Sequence, residues 1–259
     1  MSEPYYGHDA RLREMPPDEI APVLEWDDFQ SYVFDWKQNQ HVGLVGPTEQ
    51  GKTNLAYHLL GQRRYVTYFA IKTRDETLDA FADAGGYVRI PDWPPTKGRI
   101  LKREVGPDDM PRRLLWPDAT RLDSEPVQRK VFGKALADIY AQGGWCPVFD
   151  DYWYLAHILD FERQTKKYLA NARSNYIPMV ICAQRPAGNK LVELFDQATH
   201  LFFFRDNDET NLKRIGSVGW LNSGPIRAFV ANLEQYQCLY VNTRKGHMYR
   251  TRAPELTFQ

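Results

Sequence analysis

The fold is decided by residues 46–53, which read Gly-Pro-Thr-Glu-Gln-Gly-Lys-Thr. A short apolar run at residues 41–45 precedes them and is typical of a buried strand. A helical pattern follows from Lys52 to Leu60, with leucines along its apolar face. The stretch fits the pattern G-x-x-x-x-G-K-[ST] at every fixed position, in the strand-loop-helix context that the pattern requires.

A loop of this kind can bind a polyphosphate, because successive backbone N–H groups and the N-terminus of the next helix converge on one point. Gly46 and Gly51 allow the backbone to approach the anion. We expect Lys52 to contact the β- and γ-phosphates and Thr53 to offer its hydroxyl to Mg²⁺. The alternative is a glycine turn with an exposed lysine. The predicted nucleotide-binding residues are Gly46, Pro47, Thr48, Glu49, Gln50, Gly51, Lys52, Thr53 and Asn54, with no separate side-chain role for Glu49 or Gln50.

Two acidic residues follow a second apolar run, Trp-Cys-Pro-Val-Phe at residues 145–149. Asp150 fits the carboxylate that holds the magnesium of a bound nucleotide. Asp151 fits a general base that polarises the attacking water. The alternative is a solvated acidic turn at the end of a strand, where aspartate is common.

A third polar position is Gln184, which follows the apolar run at residues 178–183. Its amide could sense a γ-phosphate or orient water, since it both donates and accepts hydrogen bonds. A glutamine at a strand end more commonly bonds within its own loop. The functional interpretation depends on the order along the chain, which is phosphate loop, acidic strand and then polar strand.

Composition limits the class of protein. The chain has 259 residues, of which 43% are hydrophobic and 25% charged, and its 33 basic side chains balance 33 acidic ones. These values exclude disorder as the main state and argue against binding nucleic acid through bulk charge. The three cysteines lie in apolar runs, as in proteins of reducing compartments. We find neither a signal peptide nor an apolar run of about 20 residues, and we expect a cytoplasmic protein without membrane contact.

Strands and helices alternate along the chain, which predicts an α/β fold with a mostly parallel central sheet covered by helices on both faces. We expect an N-terminal arm at residues 1–21 and one domain at residues 22–259. That domain ends in a β-hairpin at residues 237–252. Further strands are predicted at 64–71, 87–90, 145–149, 178–183 and 200–204, and helices from about 27, at 75–84, at 125–142 and at 161–174. Residues 91–124 are interpreted as a long connection with one strand around Leu114.

Residues 172–186, Ala-Arg-Ser-Asn-Tyr-Ile-Pro-Met-Val-Ile-Cys-Ala-Gln-Arg-Pro, resemble a segment of the FtsK/HerA branch of additional-strand P-loop ATPases. In that family an arginine-bearing helix end leads into a strand and then Gln-Arg-Pro. Residues 200–205 are similar to the next strand of the family. The resemblance implies a RecA-like sheet, in which the strand before Gln184 lies between the strands that lead to the phosphate loop and to the acids. The family usually has Asp-Glu where this chain has Asp150-Asp151. The length of the chain resembles the small viral genome-packaging ATPases of the branch.

The resemblance also implies a function. Members hydrolyse ATP with Mg²⁺, act on double-stranded DNA, and form homo-oligomeric rings in which an arginine of one subunit reaches the γ-phosphate held by the next. Arg173 and Arg205 are the candidates for that arginine, and a surface salt bridge is the alternative for each. A capsid portal or another viral protein would be the partner of a packaging motor. Two other functions stay open, namely a small-molecule kinase and a nucleotide-dependent assembly scaffold or switch with little turnover.

Two basic stretches could contact DNA phosphates. One is the C-terminal hairpin, and the other is residues 163–173. A solvated charged face explains either stretch equally well. The cations concerned are Arg244, Lys245, Arg250 and Arg252 in the hairpin, and Lys166 and Lys167 in the second stretch.

Overall fold

The computed structural model describes residues 17–93, 98–100, 103–105, 110–118, 120–121, 123–185, 191–218 and 223–256. Residues 1–16 of the predicted N-terminal arm lie outside the described residues. Pro186, the last residue of the Gln-Arg-Pro segment, also lies outside them.

Eleven strands occur in the described residues: β1 (Val42–Val45), β2 (Val66–Phe69), β3 (Val88–Ile90), β4 (Gly98–Ile100), β5 (Arg103–Val105), β6 (Arg112–Leu115), β7 (Cys146–Phe149), β8 (Val180–Ala183), β9 (His200–Phe204), β10 (Gln237–Asn242) and β11 (His247–Arg252). The α-helices of the described residues are α1 (Pro17–Ile20), α2 (Trp26–Asp28), α3 (Lys52–Leu60), α4 (Glu76–Ala84), α5 (Glu125–Gln142), α6 (Tyr152–His157), α7 (Glu162–Asn171), α8 (Val192–Gln197), α9 (Glu209–Gly216) and α10 (Ser223–Ala231). A π-helical turn covers Phe29–Val33 and a 3-10 helix covers Ala172–Asn175.

Nine strands form one sheet in the order β11-β10-β9-β1-β8-β7-β2-β6-β3, and β4 pairs with β5 in a separate antiparallel sheet. Within the large sheet, β10 pairs antiparallel with β9 and β11. The pairs β1–β9, β2–β6, β2–β7, β3–β6 and β7–β8 are parallel. The predicted α/β fold, its mostly parallel sheet and its C-terminal hairpin are therefore confirmed. Strands β1, β2, β7, β8 and β9 are buried at every residue, which explains why each reads as a continuous apolar run.

By its internal contacts the chain divides into two compact units, and the division passes through α3 and β8. The first unit contains the described residues 17–55 and 182–255. Its core includes a group of aromatic rings, in which Phe29 lies 4.9 Å from Tyr240 and Phe34 lies 4.9 Å from His200, measured between ring centroids. The segment before β1 thus packs its aromatic side chains on β9 and β10.

The same packing shortens the first predicted helix. We expected one helix from about residue 27, with Phe29, Val33 and Trp36 on one face. Instead α2 passes into the π-helical turn, and the backbone leaves the helix at Phe34, where ψ is 86°. Because Phe29 and Phe34 both enter the aromatic core, tertiary contacts override the helical pattern here.

The second unit contains the described residues 56–181 and 256. Phe69 on β2 packs on Phe132 of α5 and on Phe149 of β7, with ring centroids 5.1 and 4.9 Å apart. Two predictions in this unit need correction. The segment 91–124 contains β4 and β5 as well as β6, and the helix predicted at 161–174 changes into the 3-10 helix after Asn171.

Within the described ranges, no helix is both long enough and apolar enough to cross a lipid bilayer. The three cysteines are buried and are not joined in disulfides.

We predict that the protein loses stability as pH rises from about 9 to 12. Burial raises the pKa of the Cys146 thiol from 9.0 to about 12. Below pH 9 both the folded and the unfolded states keep the proton, but between these values only the unfolded state loses it, so the free energy of unfolding falls. Urea unfolding at several pH values measures this fall, and Cys146→Ala should make it less steep. An unchanged slope in that variant would contradict the prediction.

Candidate active site

The phosphate loop consists of residues 46–51. It follows β1 and ends immediately before Lys52, the first residue of α3. Gly46 donates its N–H to the carbonyl oxygen of Ala183 at a distance of 3.0 Å, which fixes the start of the loop beside the end of β8. A β-carbon placed on Gly46 would lie 2.7 Å from the β-carbon of Phe204. Glycine is needed here because the backbone passes so close to the end of β9. We had attributed this glycine to approach by the phosphate, and the contact with Phe204 adds a requirement from within the fold.

Lys52 is the most buried charged side chain of the loop region, with 7% of its surface exposed. Its ammonium donates a hydrogen bond of 2.5 Å to the carbonyl oxygen of Pro47, so the side chain reaches back across the loop. The helical ladder of α3 begins with Leu55 N–H donating to Gly51 C=O. The N–H groups of the residues between them therefore lie outside the ladder, as at any helix N-terminus, and can turn toward an anion.

The rest of the loop supports this arrangement. Gly51 has φ +98° and Glu49 has φ +62°, values that bend the chain sharply between Pro47 and the helix. Thr53 is half-buried in the first turn of α3. Asn54 uses its side-chain amide to hold the chain after β11, donating to Pro254 C=O at 2.9 Å.

The structure brings two further predicted residues to the phosphate loop. Gln184 is half-buried and directly follows Ala183, the residue that accepts the Gly46 hydrogen bond. Arg205 is half-buried and directly follows Phe204, the residue that the loop approaches. Both side chains therefore begin within one residue of a contact with the first glycine of the loop.

Asp150 and Asp151 belong to the second unit, where they lie between β7 and α6. Both are half-buried. Asp151 is the N-cap of α6, and its Oδ1 accepts a hydrogen bond of 3.1 Å from Tyr154 N–H. The predicted general base thus has a structural task as well, which the sequence did not reveal.

Sequence reasoning missed Lys72, which lies near this acidic pair. Its ammonium donates to Asp75 Oδ2 at 2.7 Å. Partial burial lowers the pKa of Lys72, but the hydrogen bond and the charge of Asp75 outweigh it. The negative charges of Asp150 and Asp151 add to them, so the pKa of Lys72 lies above its ordinary value. In the sequence, the one indication of Lys72 was its position soon after a buried strand. The pairing of β2 with β7 in the structure is what brings it to the acids.

A short relay of hydrogen bonds supports the same edge of the second unit. The hydroxyl of Tyr154 donates to Gln128 Oε1 at 2.9 Å, and Gln128 Nε2 donates to Ile71 C=O at 3.3 Å. The carbonyl of Lys72 accepts a bond of 2.7 Å from the indole of Trp116. The chain after β2 is therefore held from both sides, and Lys72 is kept near the acids.

The arginine candidates differ in their surroundings. Arg173 lies in the 3-10 helix after α7 and is half-buried. Arg205 belongs to the first unit, beside the phosphate loop. The proposed action of either across a subunit boundary stays a prediction.

Several predicted DNA-contacting cations are held by acids within the chain. Arg250 forms an ion pair with Asp18 and also donates to Ala21 C=O, and Arg252 forms an ion pair with Glu234. Lys166 pairs with Glu162 at 3.1 Å, and Lys167 lies over the ring of Tyr140. Arg244 and Lys245 are exposed at the turn of the hairpin. A contact of these two cations with DNA stays a prediction.

The comparisons with known proteins concern the fold. No protein-family model matches the sequence, and no curated protein does. Among solved structures, the DNA-packaging ATPase B204 from Sulfolobus Turreted Icosahedral Virus is 14% identical, covers 86% of this chain and 100% of its own, and gives a TM-score of 0.55.

The genome packaging NTPase B204 from Sulfolobus turreted icosahedral virus 2, in complex with AMPPCP, is 13% identical, with coverage of 85% and 100% and a TM-score of 0.51. The cytoplasmic domain of the Type VII secretion ATPase EccC from Thermomonospora curvata is 16% identical and gives a TM-score of 0.52. It covers 86% of this chain but 25% of its own. The chain therefore shares the fold of these three ATPases, as the resemblance implied.

We predict that Asp151→Ala lowers the free energy of unfolding by about 1 kcal/mol, because α6 loses its N-cap. Asp151→Asn should stay within a few tenths of the parent, since asparagine caps a helix about as well. Urea unfolding of both variants measures the difference. Equal losses in the two would show that the charge of Asp151 beside Lys72, and not the cap, contributes the stability.

Proposed function

We propose that this protein is an ATP-hydrolysing motor that moves double-stranded DNA, of the kind that packages viral genomes. The observation that carries the proposal is the phosphate loop. It joins a buried strand to the N-terminus of α3, holds Lys52 within the loop, and starts at a glycine fixed against two neighbouring strands.

The loop suits a nucleoside triphosphate. Its main-chain amides and the helix N-terminus favour the phosphates, and Lys52 exchanges its bond to Pro47 for the β- and γ-phosphates. We propose that Gln184, which follows the residue bonded to the first glycine of the loop, senses the γ-phosphate or orients water. Two of the similar structures were solved with AMPPCP and ATP-gammaS, which supports ATP as the ligand of this fold.

We propose Mg²⁺ as the metal of the site on the chemistry of Thr53 and Asp150, whose side chains both carry oxygen ligands. Mg²⁺ takes hard oxygen ligands. Thr53 presents a hydroxyl in the first turn of α3, and Asp150 presents a half-buried carboxylate after β7. When bound, the ion would neutralise charge on the phosphates. In this proposal Asp151 would act as the general base that polarises the attacking water.

The DNA part of the proposal depends on the hairpin turn and on assembly. Arg244 and Lys245 are exposed, and their N–H groups donate to Asn242 Oδ1 at 3.1 and 3.0 Å, which fixes the turn that carries them. In a homo-oligomeric ring these cations would sum around a central duplex, so that a chain with zero net charge could hold a polyanion. A capsid portal or another viral protein would then bind the motor.

A nucleotide-dependent switch with little turnover is the second candidate. It is favoured by the cap that engages Asp151 and by the shorter side chain at a position where the resembling family usually has glutamate. Transfer of phosphate to a small metabolite, as in a kinase, is the third outcome that the measurements below separate.

We predict that the protein releases phosphate from ATP and that long duplex DNA stimulates this release. Lys52→Ala should abolish hydrolysis because the phosphates lose their buried cation. Lys213→Ala removes an exposed lysine of α9 and is the matched control, with expected parental activity. Phosphate release with and without DNA is the measurement. Binding without turnover would favour the switch, transfer to a metabolite would favour the kinase, and full activity in Lys52→Ala would contradict the assignment.

We predict that Arg173→Ala lowers turnover more than it lowers ATP affinity, by about 10³-fold or more if it stabilises the transition state of a neighbouring subunit. Mixing the Arg173→Ala protein with the Asp150→Asn protein should restore part of the activity. At some interfaces of the mixed oligomer, one subunit supplies an intact Asp150 and its neighbour an intact Arg173.

The control mixture is Lys52→Ala with Asp150→Asn. Both residues are predicted to serve the nucleotide of their own protomer, so no activity should return. Rescue in both mixtures, or in neither, would contradict a role of Arg173 across the subunit boundary.

A further inference from the structure

Tyr236 has an unusual backbone for a tyrosine. It lies in the turn between α10 and β10, where Gln237 N–H donates to Glu234 C=O at 3.1 Å. Its φ is +64°, in the left-handed region that favours glycine or asparagine at this position of a turn. The side chain is nevertheless large, apolar and 50% exposed. A tyrosine at this position strains the backbone and exposes aromatic surface to water.

The neighbour of this ring is the phosphate loop. A β-carbon placed on Gly51 would lie 3.2 Å from Tyr236 Cδ1 and 3.8 Å from Tyr236 Cα. Gly51 is the residue directly before Lys52, so the tyrosine lies against the end of the loop where the helix begins. All these residues belong to the first unit.

The surrounding chain holds the strained turn in place. Glu234 forms an ion pair with Arg252 of β11, and Gln237 accepts a hydrogen bond of 3.4 Å from Glu234 N–H through its side chain. Residues kept in such a conformation by their surroundings tend to cluster where a ligand is bound. These bonds fix where the ring of Tyr236 lies, and its contact with Gly51 distinguishes it from Tyr176, which has a similar φ.

A second segment, the chain after β11, is bonded to the first turn of α3. Asn54 follows Thr53, and its side chain is bonded to Pro254 C=O. A nucleotide whose phosphates contact the amides of Gly51 and Lys52 must extend its ribose and base away from the loop, past the first turn of α3. Tyr236 lies against Gly51 and is half exposed, so its ring offers a flat aromatic surface beside the loop.

We propose that Tyr236 stacks on the nucleobase of the bound nucleotide. The proposal rests on the proposed nucleotide site at the phosphate loop and names the residue that recognises the base. An aromatic ring stacks on any base, and best on the larger surface of a purine. The tyrosine thus contributes affinity for the nucleoside part of the ligand and none for its phosphates.

The test compares two probes, ATP and inorganic tripolyphosphate, by calorimetric titration of the full chain. Tyr236→Ala should weaken ATP binding about tenfold and leave tripolyphosphate binding unchanged. Tyr236→Phe keeps the ring and should bind both as the parent does. Tyr236→Gly should weaken ATP binding as alanine does while its thermal midpoint stays at or above that of the parent, since glycine adopts the positive φ without strain.

The matched control is Tyr176→Ala. Tyr176 is also exposed and also has a positive φ, of +54°, but belongs to the second unit. The Tyr176→Ala protein should bind ATP and tripolyphosphate as the parent does. Unchanged ATP affinity in Tyr236→Ala, or equal losses for both probes, would overturn stacking by Tyr236 while leaving the nucleotide site in place. A parent protein that binds neither probe would overturn the proposed function itself, and the stacking with it.

Discussion

The site depends on one close approach of backbone to side chain, that of Gly46 to Phe204. There is no room for a β-carbon at Gly46, and its N–H is bonded to Ala183. These two contacts fix the start of the phosphate loop between the ends of β8 and β9. Because Gln184 and Arg205 are the next residues along those strands, the same contacts bring an amide and a guanidinium to the loop. Close packing makes this placement rigid, since protein interiors accommodate even one added methylene poorly.

A different kind of constraint organises the second unit, where the acids are. Asp150 and Asp151 end a buried strand, and their charges are opposed by Lys72 at the end of the adjacent strand. Asp151 accepts the N-cap hydrogen bond of α6 through its Oδ1. This bond limits the freedom of the carboxylate. The network through Gln128 and Tyr154 joins the chain after β2 to α6, the helix that follows this pair.

The charges of the chain show how little a basic stretch says by itself. The C-terminal hairpin carries four cations by sequence, yet Arg250 and Arg252 have acidic partners in the fold. They hold the N-terminal segment and the turn that carries Tyr236. Arg244 and Lys245 lie at the turn, where both are exposed. The sequence does not distinguish an exposed cation from one in an ion pair. The surroundings of each side chain decide which can contact a phosphate.

The sequence by itself determined the strand-loop-helix around residues 46–51 and the α/β fold, because these follow from local spacing and from the continuous apolar runs of buried parallel strands. It also predicted the acidic pair and Gln184 as site residues. It also determined the bounds of α3 and α5. Only the tertiary structure decided that Asp151 caps a helix, that Lys72 faces the acids, that Phe204 requires Gly46, and that Tyr236 lies against Gly51. It also replaced the first predicted helix by a π-helical turn. Each of these depends on contacts between residues far apart in the chain, and no local pattern of residue types carries that information.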